Sequence, residues 1–423
     1  MFTVQEHVIP CQFMREYPRA TADGRSTGLS LAVKQYTPTR SPDPTLQRVT
    51  IIGAAGNACP KELYEPLWEE LHSALLDQRL AIENIWIADA AHQGASGLLN
   101  EEKLGNDPSI FDHSRDLIHM INHFQSQMTL PIIGLGHSMG ATHLMHAALS
   151  HSRLFHAQIL IEPVLYDTVP DPATNVPALG AAARRDRWPS HDALASYVAN
   201  SKLYASWDAR CVQRWLTYGV RRAARRGELT LVTTKDQETF ALTRPTYLTR
   251  TPQAPSTATV AAAAAAAAAA APRLSTAELD RKLVEHPEWS FLQPEPLVVF
   301  HQLPFFRPAA LYVYGALSWF LKGRGLRARM AATTGAGVLG SGGVARGRVQ
   351  EMTIEQTGHN APLERPGAIA RETAGWIADE VRRWQAEEQA VEEEWQGKTG
   401  VERRMLDEEF VSRLGVRERR RKL

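Results

Sequence analysis

The sequence predicts an α/β protein: a mostly parallel sheet flanked by helices, with a helical cap inserted before the last strands. Three observations carry this. Short β-rich runs alternate with helical stretches over the first 163 residues, the pattern of a parallel sheet covered on both faces. The pentapeptide Gly136-His137-Ser138-Met139-Gly140 lies between an apolar run, Pro131–Leu135, and helix-forming residues Ala141–Ser150. The alternation then breaks from Val164 to Phe306 and resumes afterwards.

In chain order, Leu29–Tyr36 reads as an early, partly antiparallel strand pair and Val49–Gly53 as a strand. Pro60–Leu75 is helical, Ile85–Asp89 a strand and Asp112–Phe124 helical. Ile132–Leu135 is the strand into the pentapeptide, and Ile159–Ile161 follows its helix. Residues 1–163 are the first part of the core, and 164–306 the cap, helical and irregular, with Trp188, Trp207 and Trp215 scattered through it. Its middle, about 251–272, is low-complexity: Thr251–Thr259 is rich in Pro, Ser and Thr, and Ala261–Ala271 is all alanine. Alanine favours helix, but this run has no apolar stripe to anchor it, so a linker or solvated helix is expected. Leu311–Gly315, Val349–Ile354 and a helix Pro366–Trp384 complete the core over 307–384. In that helix Ile369, Trp376, Ile377 and Val381 fall at helical spacing. Residues 385–423 form a charged, solvated tail.

A chain of 423 residues with an ordinary apolar share can bury a sizeable core. Lys plus Arg number 47 against 46 Asp plus Glu, so no net field recruits nucleic acid or an anionic membrane. Cys11, Cys59 and Cys211 are few and far apart, which predicts a reducing compartment without a disulfide framework. The first residues lack a basic segment leading into an apolar core, so no secretory signal is expected. No apolar run approaches the ~20 residues needed to span a bilayer. A soluble intracellular protein is expected.

Gly136–Gly140 fits the Gly-x-Ser-x-Gly nucleophile elbow, in its required setting of strand, sharp turn and helix. Small residues let the backbone turn while Ser138 projects, and the helix N-terminus behind it supplies a free N–H. A serine hydroxyl is a poor nucleophile without a base in hydrogen-bond reach. His359, in Gly358-His359-Asn360 just after the last strand, is that base. The acid is less direct. Between Arg307 and Gln350 there is no Asp or Glu, and Ser318 and Trp319 stand where an acid might be sought. Glu162, at the end of the strand after the nucleophile, restores the chain order Ser, acid, His. Asp167 and Asp171 are the runners-up. Oxyanion donors are expected from the N–H of Met139 and from Ala55 or Gly56 in the loop after Ile52.

Other signals point to no cofactor and no metal. Gly335-Ala336-Gly337-Val338-Leu339-Gly340 matches a dinucleotide pattern but does not open a βαβ unit. His119 and His123 lack completing ligands. His137 is expected to point away from the chemistry, and Arg221–Arg226 reads as a solvated basic run.

Several longer stretches resemble one family. Arg15–Ala20, Lys34–Tyr36, Pro60–Trp68 and Asp89–Pro108, with His92-Gln93-Gly94 and Asn100–Gly105, are similar to the fungal α/β-hydrolases of the host-selective-toxin biosynthesis group, of which the yeast peroxisomal lipase is a related member. The resemblance takes in the elbow, Ile161-Glu162-Pro163 and Gly358-His359, and thins across the alanine run and the tail. It implies an α/β-hydrolase fold and a serine hydrolase of esters or thioesters with fatty-acyl-like groups, often peroxisomal. The register of Glu162 is similar to that in sister families of this fold, in which a glutamate at this strand end orients the histidine. Family members often carry a histidine in the first loop, where this chain has Ala55-Gly56-Asn57-Ala58. The expected substrate is a small-molecule acyl ester or thioester, and the Trp-containing cap suggests an acyl or polyketide-like group in the cleft. Two alternatives stand: acyl transfer to an alcohol or amine with the same triad, and a degenerate ligand-binding or scaffold homologue, which the missing loop histidine and the absent acid after the cap would fit. The C-terminal Arg421-Lys422-Leu423 keeps only two residues of a Ser-Lys-Leu address, so peroxisome and cytoplasm both stand.

Overall fold

The computed structural model describes residues 1–24, 28–40, 43–168, 175–223, 227–244, 291–320 and 325–415. The low-complexity stretch 251–272, Asp171, Arg225, Arg226 and the C-terminal tripeptide lie outside these residues.

Eleven strands are described: β1 (Phe2–Pro10), β2 (Ser30–Pro38), β3 (Gln47–Ala54), β4 (Leu80–Ala88), β5 (Ile132–His137), β6 (Ala157–Ile161), β7 (Arg187–Trp188), β8 (Val220–Arg222), β9 (Leu229–Leu231), β10 (Ala309–Gly315) and β11 (Val349–Ile354). Eight of them form one sheet in the order β1-β2-β4-β3-β5-β6-β10-β11. β2 pairs antiparallel with both β1 and β4, and every later neighbour is parallel. Parallel strands need crossovers, and helices supply them: α1 (Glu65–Asp77), α2 (Gly94–Leu99), α3 (Ile110–His123) and α4 (Met139–Ser150) among them.

The strand side chains alternate between two cores. Val49 and Ile51 of β3 and Leu311 and Val313 of β10 pack with Leu67, Trp68 and Leu71 of α1 and with Ile369 and Ile377 of the helix Pro366–Gln396. Ile52, Leu160, Tyr312 and Tyr314 face the other way, toward Leu117 of α3, Leu144 of α4 and Val299 of the helix Glu295–Gln302. A period of two with both faces covered is why these strands read as continuous apolar runs.

The structure departs from expectation in four places. β1 was not expected, because it is an edge strand whose side chains are mostly exposed and do not alternate cleanly between apolar and polar. The segment between β6 and β10 is not helical throughout: β7, β9 and β8 form a small antiparallel sheet, with strands of two or three residues that cannot display a period. Trp188 and Trp215 are not cleft residues; they are buried, meet edge to face at 6.3 Å and belong to the same hydrophobic core as α1 and one face of the sheet. The helix from Pro366 runs on to Gln396, past the expected Trp384. No described helix is long and apolar enough to cross a membrane.

An unusual share of imidazole is packed under the sheet. His113 of α3 meets His143 of α4 with ring centroids 4.8 Å apart, and His146 stacks on Phe111 at 3.8 Å. Burial lowers the pKa of His92 to about 3 and of His113 and His146 to about 4, and holds that of His143 well below the ordinary imidazole value. An unfolded histidine titrates near pH 6.5. Between pH 6.5 and 4 the unfolded chain therefore binds protons that the folded chain refuses. The stabilisation is complete above about pH 6.5 and falls as the pH drops, by of order 2 kcal/mol per buried histidine at pH 5. Thermal melts from pH 7 to pH 5 should show this slope, and His146→Phe should make it shallower. Parallel slopes in the two proteins would contradict the assignment.

Candidate active site

β5 delivers Ser138 to the carboxyl end of the sheet. Its backbone sits at φ 55°, ψ −120°, a conformation side chains rarely adopt, and α4 begins at the next residue. Close packing holds it there. The Ser138 N–H donates to the Ile161 carbonyl at 2.8 Å. A Cβ at Gly136 would come within 2.6 Å of Ala141 Cα, and one at Gly140 would overlap the Ala54 carbonyl oxygen. Both glycines of the pentapeptide are thus required by neighbouring backbone, and Ser138 takes the strain.

His359 lies on the loop after β11, and its Nε2 is 3.0 Å from Ser138 Oγ. On the other side Nδ1 is 3.3 Å from Glu162 Oε2. The carboxylate fixes the tautomer: Nδ1–H donates to Glu162, leaving Nε2 to accept from the serine hydroxyl. Phe320 packs edge-on against the His359 ring at 4.9 Å. Glu162 itself follows β6 with φ 49° and no exposed surface. Its charge is compensated: the Gly315 N–H donates to Oε1 at 2.8 Å and the Ser318 hydroxyl to Oε2 at 2.7 Å. Arg327 stands 3.8 Å from Oε1. Ser318, in the place where an acid was sought, is thus a donor to the Glu162 carboxylate on the neighbouring strand. Asp167 is not in this cluster; it pairs with Arg329.

The loop after β3 brings a correction. The Gly56 N–H donates to the Tyr64 hydroxyl at 2.8 Å, so of the two expected loop donors Gly56 is already committed. Ala55 and Met139 line a common cavity. His137 brings a second correction, because it does not point away. Its Nε2 is 2.9 Å from the His359 carbonyl oxygen and its Nδ1 is 2.8 Å from the Tyr64 hydroxyl. A carbonyl can only accept, so Nε2 carries the proton and the Tyr64 hydroxyl donates to Nδ1. One buried chain of hydrogen bonds therefore runs from Gly56 through Tyr64 and His137 to the backbone of His359. Nothing in the sequence marks it beyond a tyrosine within an apolar helical stretch.

Of the remaining sequence signals, Arg221 is paired with Glu101, and His119 and His123 stand 6.3 Å apart on α3. The glycine pattern 335–340 closes a loop by backbone bonds, Gly335 N–H to Leu303 and Gly337 N–H to Pro304. Tyr64→Phe would leave the Gly56 N–H and His137 Nδ1 both buried without partners. It should cost about 1–3 kcal/mol in denaturant melts; wild-type stability would contradict the hydrogen-bond chain.

The sequence profile of the Alpha/beta hydrolase family matches residues 53–372. A type I acyl-CoA thioesterase, mpaH of Penicillium roqueforti, is 33% identical over 94% of this chain and 92% of its own length. An abhydrolase domain-containing protein of Alternaria alternata, AFT2-1, is 22% identical over 61% of this chain and 87% of its own. The peroxisomal α/β-hydrolase Lpx1 of Saccharomyces cerevisiae superposes with a TM-score of 0.67 at 15% identity, over 89% of each chain. With the sheet order, the strained serine after β5 and the histidine after β11, these similarities place the chain in the α/β-hydrolase family.

Proposed function

We propose that this protein hydrolyses carboxylic esters or thioesters of acyl groups through an acyl-enzyme on Ser138. The reading rests on the continuous contact from Glu162 through His359 to Ser138, at 3.3 and 3.0 Å. The similarity to an acyl-CoA thioesterase over nearly the whole chain makes a coenzyme A thioester the first substrate class to try.

Ser138 Oγ attacks the acyl carbonyl carbon as its proton passes to His359 Nε2. Glu162 holds the ring and stabilises the imidazolium that forms. Charge developing on the carbonyl oxygen is met by the N–H of Met139, which begins α4 and so has no acceptor within the helix, and by that of Ala55. The tetrahedral centre collapses, and the leaving thiolate or alkoxide takes the proton from His359. Water, deprotonated by the same nitrogen, then attacks the acyl-enzyme and releases the acid. His137 and Tyr64 act through His359 and are positioning residues: they fix the backbone that carries the base. The described parts of 164–306 serve as a cap over this centre. Asn57 Nδ2 donates to the Glu238 carbonyl at 3.0 Å, and Met139 packs with Ala241, so the segment already touches the reacting edge.

The test is fluorophosphonate labelling with mass mapping, alongside hydrolysis of acyl-CoA and aryl ester substrates. Label should map to Ser138, and Ser138→Ala or His359→Ala should lower kcat by roughly 10³-fold or more. Folded wild type that neither labels nor turns over any acyl substrate would instead favour a ligand-binding homologue.

A further inference from the structure

The loop that carries Ala55 is braced by two side-chain amides. After Ala55 the chain turns back on itself, and the Cys59 N–H donates to the Gly56 carbonyl at 3.1 Å. Ala58, the third residue of that turn, stands at φ 57°. Glycine and asparagine adopt this left-handed region readily, and alanine rarely does. The brace comes from Gln93, buried in the loop after β4. Its Oε1 accepts the Ala58 N–H at 2.8 Å, and its Nε2 donates to Asn57 Oδ1 at 2.5 Å. Nε2 also meets His92 Nε2 at 3.0 Å, so every hydrogen of the amide is engaged.

The cap segment holds this pair at both ends. Asn57 Nδ2 donates to the Glu238 carbonyl at 3.0 Å, in the helix Lys235–Phe240. Next to Gln93, the Gly94 N–H donates to the Thr233 hydroxyl at 2.9 Å. An amide suits position 93 because it carries a donor and an acceptor at once. Leucine would fill the volume but leave the Ala58 N–H and Asn57 Oδ1 without these partners.

We propose that Gln93 and Asn57 are positioning residues for the oxyanion hole. They lock the turn that follows Ala55, so that the Ala55 N–H stays aimed with that of Met139 at the developing charge. The inference rests on the acyl-hydrolase reading above, and both side chains act through the backbone of the loop. A misaimed donor weakens a bond that forms fully only in the transition state. The loss therefore falls on kcat and spares KM.

The experiment compares wild type, Gln93→Leu, Asn57→Ala and the double variant on the N-acetylcysteamine thioester of hexanoate. It reads kcat, KM and the rate of fluorophosphonate modification of Ser138, with thermal melts to show that each protein is folded. Gln93→Leu should lower kcat and the modification rate by about 10- to 100-fold, with KM changed less than about threefold. The double variant should lose little more than Gln93→Leu alone, because the two amides act as one unit. The midpoint of the pH profile of kcat/KM, set by His359, should stay at its wild-type value. Ala58→Gly, which removes the backbone strain, should return part of the lost kcat to Gln93→Leu. A folded Gln93→Leu protein with wild-type kcat overturns this inference alone, as does a loss carried by KM or two single losses that multiply in the double variant. Asn57 is half-buried, so Asn57→Ala tests the same claim if Gln93→Leu does not fold, and wild-type kcat there overturns it too. Wild type that is not labelled and cleaves no ester or thioester overturns the hydrolase reading, and this inference with it.

Discussion

The carboxylate of Glu162 is the contact around which this site is arranged. It is fully buried, on a backbone held at φ 49°, and it touches two separate pieces of chain, the end of β10 with its following turn and the loop after β11. Gly315 at the end of β10 donates to one oxygen, Ser318 in the following turn donates to the other, and His359 beyond β11 shares the second. A buried carboxylate without such partners would be strongly unfavourable. Its compensation therefore ties the ends of β6 and β10 to the loop that carries His359, and the register of the parallel strands becomes a condition for placing the imidazole over Ser138.

The same geometry explains how a carboxylate one strand earlier than the turn after β10 can reach His359. The two strands are neighbours in the sheet, so a side chain from the end of either reaches the same point. With Glu162 on β6, the position after β10 is free to supply a hydroxyl. Ser318 fills that role, and a second carboxylate there would repel the first. Behind the histidine, the His137–Tyr64 chain gives His359 a second anchor through its own backbone carbonyl. The imidazole is thus held by its ring on one side and its main chain on the other.

Much of this was legible in the sequence, for identifiable reasons. The parallel strands are short apolar runs buried on both faces, and Gly136–Gly140 stands between one of them and a helix, so fold and serine could be read together. The lack of any Asp or Glu from Arg307 to Gln350 turned the search to Glu162, and Ser138, Glu162 and His359 do meet in space. What escaped depends on contacts between distant segments. The His137–His359 bond uses a backbone carbonyl, which no side-chain pattern announces. Gly56 looked free to donate because its acceptor is a tyrosine hydroxyl arriving from the next helical turn. Trp188 and Trp215 looked like cleft residues because an aromatic side chain reads the same in a core and at a ligand. β1 and the strands of the small sheet are exposed or too short to show alternation.

The claim on which the account turns is that Glu162 orients and charges His359. The direct measurement is the rate at which a fluorophosphonate modifies Ser138 in wild type and in Glu162→Gln, with thermal melts to confirm that the variant is folded. The account predicts a slowing of roughly 10²-fold or more, because a neutral amide neither stabilises the imidazolium nor enforces the productive tautomer. Modification of a folded Glu162→Gln protein at the wild-type rate would contradict it.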